Sequence, residues 1–317
     1  RLFPKFLFSI SWKYFWEWKV ICFIEKVKNF ISIDVEDYHH VFGNYDDVKL
    51  HSHLFDEKFS CVEKGCYKFL EKLENKKKKA TFFFLGSISN KYKSLIKEIV
   101  HNGHEIGSHG FNHIPINLIS TNDFKNDLIE SKKILEDLSQ SELISYRAPG
   151  FSLTKNQKQI YNILIENDFK ISSSTILKKT DFGGSFGLKN NMYKIFTEKN
   201  KFIYEIPVLS YKIFGYNFLF SGGGHLRFTP LKIINFFTNK LKNDKKYVNF
   251  YIHPRELVQK HKRIKMNFVR YFKSYYNLKS VDNKIDNILS LYESSSFKDI
   301  YLDKDFLNIK NLYLWLY

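Results

Sequence analysis

The sequence has few of the residues that crosslink, break or anchor a chain, and each shortage excludes a class of protein. Its 3 cysteines are too few for the disulfide framework of a small secreted domain, so we expect free thiols. Its 6 prolines and 14 glycines are too few for a disordered or fibrous chain. No apolar run reaches the roughly 18 residues of a spanning helix. No signal-peptide pattern is evident. We therefore expect a location in the cytoplasm or at the cytoplasmic face of the membrane.

Acidic residues are also scarce. Aspartate and glutamate total 33 against 50 lysines and arginines, which gives a formal net charge of +17. The reading we favour is a lysine-rich, solvated surface. The alternative is attraction to an anionic partner, such as an acidic glycan, a lipid-linked precursor or a membrane surface. No nucleic-acid-binding motif accompanies the charge, so we expect no nucleic-acid partner. The hydrophobic fraction of 44% is sufficient for a large core.

Residues 1–26 are rich in aromatic side chains but are interrupted by charges. Trp12, Trp16 and Trp18 beside lysines fit an interfacial amphipathic helix. The alternative, which we favour, is that this segment is not part of the folded domain. We predict that the domain proper begins near Val27.

From residue 30 onward, short apolar runs alternate with amphipathic helical stretches. The runs predict seven strands, at 30–35, 80–86, 104–108, 143–147, 169–173, 204–208 and 247–252. Helical periodicity predicts helices at 61–75, 90–101, 121–138, 154–167, 230–242 and 280–295. This alternation is typical of a parallel α/β fold. Polar side chains follow several strands, which favours a barrel with its chemistry at one rim: Asp34, His109, Arg147, Glu205 and His253.

A histidine pair follows the third predicted strand. His109 and His113 are four residues apart, and a cluster of acids, Asp34, Glu36 and Asp37, follows the first strand. Two imidazoles and one carboxylate can hold a divalent metal and leave a position for water. By strand alternation Asp34 and Glu36 face the same side.

Five stretches together resemble the motifs of the polysaccharide deacetylases, the NodB-homology or family 4 carbohydrate esterases. They lie at 32–38, 108–113, 146–151, 222–227 and 250–256. The chain most resembles the branch whose first motif reads Asp-Val-Glu-Asp-Tyr, which occurs in exopolysaccharide and exosortase loci. The resemblance implies a distorted (β/α)7 TIM-like barrel over residues 27–257, with a helical extension over 258–317 packed on it.

The resemblance also implies a reaction. A divalent metal, zinc or alternatively cobalt or another ion, would serve a hydrolase that removes acetyl groups, chiefly N-acetyl, from a polysaccharide or its lipid-linked precursor. Asp34 would be the general base, Arg147 would pair with it, and His253 would be the general acid. The metal ligands would be His109, His113 and either Glu36 or Asp37.

Further residues of these motifs are candidates for substrate binding. Tyr38 and Phe151 would stack on sugar rings, and Gly223 would let the backbone approach one. Arg227 and Glu205 would shape the substrate groove.

The first motif departs from the common form, in which two aspartates are adjacent. A shifted alignment would make Glu36 the base and Asp37 the ligand. Arg255 stands where the branch has tryptophan, and Ser172 to Ser174 replace Asp-Ser-Ser, which bears on substrate preference. A non-catalytic carbohydrate-binding barrel is the alternative function. A metal-independent amidohydrolase is disfavoured because both histidines are present.

Overall fold

The computed structural model describes residues 28–42, 56–154, 157–177, 184, 190–196, 201–303 and 313–315. Ten strands of these residues form one sheet, and two form a separate hairpin. The strands are β1 (Asn29–Val35), β2 (Thr81–Phe84), β3 (Glu105–Ser108), β4 (Ser145–Tyr146), β5 (Ile171–Ser172), β6 (Tyr193–Phe196), β7 (Phe202–Glu205), β8 (Tyr211–Ile213), β9 (Tyr216–Phe218), β10 (Asn249–Ile252), β11 (Ser294–Ser295) and β12 (Tyr313–Trp315).

Seven parallel strands carry the fold. Their lateral order is β10, β1, β2, β3, β4, β5, β7. They are the seven strands that the apolar runs predict, so the α/β barrel-type fold is confirmed. Among the described residues no ladder joins β7 to β10, which leaves a half-barrel. All seven residues of β1 are buried, because a central parallel strand is covered on both faces.

Helices surround the sheet. They are α1 (Val62–Asn75), α2 (Gly86–Ser89), α3 (Lys93–His101), α4 (Thr121–Ser139), α5 (Lys158–Glu166), α6 (Gly223–Phe228), α7 (Leu231–Asn243), α8 (Pro254–Leu257), α9 (Phe268–Tyr275), α10 (Lys279–Leu291) and α11 (Phe297–Leu302). The six predicted helices correspond to α1, α3, α4, α5, α7 and α10. Their apolar stripes enter one core, as Leu70, Leu95 and Leu128 illustrate.

The predicted pattern omits several strands. β6 runs antiparallel to β7, and β12 adds beyond it. β8 and β9 form the hairpin, whose tip residue Phe214 is 97% exposed. Strands are predicted from the alternation of buried apolar and exposed polar residues. An exposed aromatic residue at the hairpin tip does not fit that alternation, so the sequence does not predict this hairpin.

The segment after β10 packs back onto the barrel. β11 pairs with β1, and Phe297 stacks on Phe30 with ring centroids 4.5 Å apart. The backbone N–H of Lys298 donates to the buried carboxylate of Glu105 at 2.8 Å. The domain boundaries at 26 and 257 stay predictions, and residues 1–26 lie outside the described part of the chain. No described helix has both the length and the apolarity needed to cross a bilayer.

Candidate active site

Four strands deliver polar side chains to one rim of the half-barrel. Asp34 is near the end of β1, and His109, Arg147 and His253 directly follow β3, β4 and β10. Because parallel strands end at the same edge of a sheet, residues distant in sequence meet there. Asp34, His109 and Arg147 are at most 2% exposed.

A carboxylate and two imidazoles converge at this rim. Glu36 Oε1 lies 3.2 Å from His109 Nε2 and 2.8 Å from His113 Nε2. One ligand atom from each residue lies within 4.8 Å of the other two, and all three residues are buried. The chain reverses its direction after β1, where the N–H of Glu36 donates to the Asp34 carbonyl, and this turn aims Glu36 at the histidines.

The donor set fits a divalent metal. His109 Nδ1 lies 2.8 Å from the Arg147 carbonyl, so this nitrogen donates its proton there. The other ring nitrogen, Nε2, points towards Glu36 and His113, and its lone pair becomes available to a metal when Nε2 loses its proton. A ligating imidazole that donates its other nitrogen to a backbone carbonyl is the usual arrangement in protein metal sites. The site therefore holds one anionic oxygen and two imidazole nitrogens, a set that zinc and similar ions accept.

The loop that carries His113 is held from α4. Asp127 accepts hydrogen bonds from the N–H groups of Phe111 at 2.8 Å and Asn112 at 3.2 Å. A Cβ at Gly110, whose φ is +78°, would lie 3.0 Å from the same carboxylate. His113 itself has a φ of 58°, an uncommon value for a residue with a side chain. The loop contacts therefore offset local backbone strain in order to place the imidazole.

A second cluster lies beside the candidate metal centre. Arg147 Nη1 donates to Asp34 Oδ1 at 2.6 Å and to Ser32 Oγ at 2.8 Å. The rest of the guanidinium donates to the carbonyl and hydroxyl of Ser173, and its plane lies 4.3 Å from the Phe83 ring centroid. These contacts fix both members of a buried ion pair.

His253 completes the rim. Its Nδ1 lies 3.1 Å from Glu256 Oε2, which also accepts the His253 backbone N–H at 3.0 Å. The other Glu256 oxygen accepts from Arg227. His253 Nε2 faces Glu36 Oε1 at 3.9 Å. Arg227 thus orients Glu256, and Glu256 orients the imidazole.

The pKa shifts follow from this crowding. Burial would raise the pKa of Glu36, but His113, His253 and His109 outweigh it and hold this pKa well below its usual value. Burial would lower the pKa of His109, but its hydrogen bond to Glu36 and the charge of Asp34 outweigh burial, so this pKa is raised. Burial lowers the pKa of His253 to about 4, against the charge of Glu36. The metal-free His253 is therefore neutral at pH 7.

Asp37, the alternative metal ligand, has a different environment. Its Oδ1 accepts hydrogen bonds from the N–H groups of Tyr38 at 2.7 Å and Cys61 at 2.9 Å, at the start of α1. Tyr38 is fully buried in a small apolar cluster with Cys61, Val258 and Ile264. Its hydroxyl accepts from the Asp56 N–H at 2.8 Å. The structure therefore brings neither Asp37 nor Tyr38 into the group of Glu36 and the histidines.

Glu205 and Arg227 are also buried away from solvent. Glu205 Oε1 accepts from the N–H groups of Ser174 and Thr175 at 3.0 Å and 2.9 Å, and from the Thr175 hydroxyl at 2.7 Å. Burial raises the pKa of Glu205 to about 7, although these hydrogen bonds oppose the rise. Arg227 is 2% exposed. A direct contact of either residue with substrate stays a prediction.

Phe151 and the glycine stretch form a wall next to Arg147. Phe151 packs against Tyr251 with ring centroids 4.8 Å apart. A Cβ at Gly222 would lie 2.1 Å from the Tyr251 ring, and Gly223 has a φ of +48°. The glycines therefore give the Tyr251 ring its space. Stacking of Phe151 on a sugar and approach of a sugar to Gly223 stay predictions.

Sequence reasoning missed several residues of this site: Ser32, Asp127, Ser173, Tyr251 and the orienting role of Glu256. Only Glu256 carries a local signal, because an acid three residues after a helix N-cap closes a capping box with it.

Two protein-family models match the chain. Residues 43–165 match "Polysaccharide deacetylase", and residues 172–302 match a domain of unknown function, DUF3473. The chain therefore contains a polysaccharide deacetylase domain of the NodB or family 4 carbohydrate esterase type, followed by a DUF3473 domain. This confirms the family resemblance for the motifs at 108–113 and 146–151, which lie within the first match, and that family is one of amide hydrolases.

Individual relatives agree with this assignment. A peptidoglycan-N-acetylglucosamine deacetylase of Bacillus cereus is 32% identical over 90 residues, which are 28% of this chain and 33% of that protein. The corresponding enzyme PgdA of Listeria monocytogenes is 26% identical over 122 residues, 37% of this chain and 26% of that protein. The matches thus span about a third or less of these relatives.

The fold has a solved counterpart. The crystal structure of a polysaccharide deacetylase homologue from Mycobacterium smegmatis superposes with a TM-score of 0.55 at 15% identity, over 85% of this chain and 88% of that one. At this identity the likeness shows the fold alone.

Proposed function

We propose that the protein is a metal-dependent deacetylase that hydrolyses N-acetyl groups on an amino-sugar glycan. One observation carries the proposal. The carboxylate and two imidazoles of Glu36, His109 and His113 share a rim with the Asp34–Arg147 pair and with His253. The named relatives act on N-acetylglucosamine of peptidoglycan, which supports this substrate class.

Glu36, His109 and His113 would hold the metal, and zinc is the ion that we expect, with cobalt as an alternative. When bound, such an ion polarises a carbonyl and lowers the pKa of water. The protein residues supply the rest. The turn after β1 and the Arg147 carbonyl fix the ligand atoms before any metal arrives.

Asp34 is the candidate general base. Arg147 Nη1 donates both to Oδ1 of Asp34 and to the Ser32 hydroxyl. Among the described residues, Oδ2 of Asp34 has no hydrogen bond. We assign Oδ2 as the atom that accepts the proton of the attacking water. The fixed guanidinium would hold the carboxylate in one orientation.

His253 is the candidate general acid. Because its Nδ1 is bound to Glu256, its Nε2 is the nitrogen that faces the centre. His253, which is neutral before the reaction, would first take up a proton from solvent at Nε2 and then give it to the departing amine as the carbon–nitrogen bond breaks. The products are acetate and the free amino sugar.

The test is acetate release from a panel of glycans by the full chain, with chelator and after zinc or cobalt is returned. The panel includes N-acetylglucosamine oligomers, peptidoglycan fragments and O-acetylated polysaccharides. We expect release from N-acetylated substrates that chelator abolishes and metal restores. The Asp34→Asn variant should bind metal and release no acetate.

Failure of the proposal has a defined signature. If the protein binds these glycans and metal but releases no acetate, it is the non-catalytic binding barrel.

We further propose that the natural substrate is anionic or lipid-linked, since the formal charge is +17. Its binding should then weaken between low and high salt, and unchanged binding would contradict this part.

A further inference from the structure

The helix α9 and the residues around it form an exposed patch that the deacetylase site does not use. Its aromatic and apolar members are Phe228, Phe268, Val269, Phe272 and Tyr276, which are 40%, 81%, 61%, 43% and 43% exposed. Exposed lysines lie on α9 or in the segments next to it in the sequence: Lys260, Lys265, Lys273 and Lys279. We call these nine residues the aromatic–basic face.

The charge of this region is of one sign. Residues 258–281 contain seven lysines and arginines and no aspartate or glutamate. Among the described residues, no carboxylate forms an ion pair with any of the four lysines of the aromatic–basic face. Their charges are therefore available to an anionic partner, and a cluster of this size is typical of binding to anionic lipid.

The aromatic members form one continuous ridge. Phe228 and Tyr276 stack at 5.0 Å with an interplanar angle of 7°, and Phe272 lies 4.7 Å from Tyr276. Phe268 extends the ridge at 6.3 Å from Phe272. Aromatic side chains beside lysines on the outer face of a helix are characteristic of proteins that lie in the membrane interface.

The inner face of α9 is firmly attached. The Tyr275 hydroxyl accepts from the Ile264 N–H at 2.9 Å, and the Asn267 side chain caps the helix. The Lys273 carbonyl accepts from Arg227 at 2.6 Å, and Arg227 pairs with Glu256 beside His253. The aromatic–basic face is therefore rigid and lies on the outer side of an element that contacts the active-site rim.

We propose that the aromatic–basic face binds the surface of an anionic lipid bilayer. The ridge would enter the headgroup region while the lysines contact lipid phosphates. A second copy of the chain is a poorer occupant, because two such basic segments repel each other. A glycan is also poorer, because the ring faces of Phe228 and Tyr276 cover each other. The proposal does not depend on the deacetylase activity.

The test is co-sedimentation of the full chain with vesicles of phosphatidylcholine alone or of an equal mixture with phosphatidylglycerol. We expect binding to the mixed vesicles only, weakened by salt. The variant Phe268→Ser/Phe272→Ser should lose about 100-fold in affinity. The variant Lys260→Glu/Lys265→Glu/Lys273→Glu should lose at least about tenfold.

Matched controls separate this face from general stickiness. Phe214→Ser/Tyr216→Ser removes exposed aromatics from the hairpin, and Lys240→Glu/Lys242→Glu/Lys245→Glu makes the same charge change on α7 and the turn after it. Both should keep wild-type binding. Circular dichroism melts should show that all four variants are folded.

Three results would overturn the proposal. They are absence of binding to the mixed vesicles, equal binding to neutral vesicles, and equal losses in the test and control variants. Concentration-dependent dimers that Phe268→Ser/Phe272→Ser abolishes, without vesicle binding, would assign the face to a second copy instead.

Discussion

Glu36 and Asp37 are adjacent acids with different partners in the structure. Replacing Glu36 should mainly weaken metal binding, whereas replacing Asp37 should mainly destabilise the fold. Glu36→Gln keeps the size of the side chain but removes the anionic oxygen between the two imidazoles. We expect zinc affinity to fall at least about 100-fold, which corresponds to about 2.7 kcal/mol. The free energy of unfolding of the metal-free protein should fall less than in Asp37→Ala, because among the described residues no backbone N–H donates to the Glu36 carboxylate.

Asp37→Ala should have the opposite profile. Its Oδ1 accepts two backbone N–H groups, at 2.7 Å and 2.9 Å. Each buried donor left without a partner costs about 1–3 kcal/mol, so the free energy of unfolding should fall by about 2–5 kcal/mol. Because these contacts join the end of β1 to the start of α1, the loss is structural. Zinc affinity of the folded variant should stay within about threefold of wild type.

The assays are isothermal titration of chelator-stripped protein with zinc, and urea unfolding of the metal-free protein. Glu71→Gln, an exposed carboxylate on α1, is the control for loss of one negative charge. If Asp37→Ala abolishes zinc binding with an unchanged urea midpoint, while Glu36→Gln binds zinc normally, the ligand is Asp37 and the present assignment is refuted.

Other contacts of the site make equally specific predictions. Arg147→Met and Asp34→Asn should each cost about 3–5 kcal/mol in urea unfolding, because each leaves a buried group unpaired; the double variant should cost about 2–4 kcal/mol less than their sum, and additivity would contradict the pair. Glu256→Ala should lower kcat for acetate release about 10- to 100-fold with little change in KM, because His253 loses its orienting partner; a change confined to KM would contradict that role. Gly222→Ala should destabilise the fold by about 1–3 kcal/mol, because the added Cβ would collide with the buried Tyr251 ring. Gly224→Ala, where there is room for a Cβ, should leave the thermal melting of the protein nearly unchanged.

The barrel could be predicted because its signal is local. Most of the seven parallel strands are apolar runs, since both faces of such a strand are covered, and helices with one apolar stripe alternate with most of them. β6 lacks this signal. Its Lys194 covers an aromatic ring of β7, with the ammonium 3.7 Å from the Phe202 centroid. A lysine that packs on a side chain of the neighbouring strand cannot be recognised as a strand residue from its own stretch of sequence.

The candidate site was predictable to the level of strand ends but not of individual partners. Alternation along β1 predicts Asp34 and Glu36 on one side, but β1 ends at Val35, and Glu36 lies in the turn that follows it. The direction of Asp37 depends on the Cys61 N–H, a contact 24 residues away in the chain. Such a contact follows from where α1 begins relative to the strand, and the local sequence does not contain that information. The local sequence therefore leaves both readings of the first motif open.

The number of partners that each polar atom already has separates the candidate catalytic residues from those with structural contacts. Glu205 accepts hydrogen bonds at both carboxylate oxygens, from a loop and from Tyr161, so its acceptor capacity is used within the protein. Glu36, in contrast, faces imidazole nitrogens. Its Oε1 contacts Nε2 of His109 and Nε2 of His113. A strand-end acid that the fold has already satisfied has little capacity for chemistry. An acid whose partners are imidazoles, as Glu36 is, can share those partners with a metal ion.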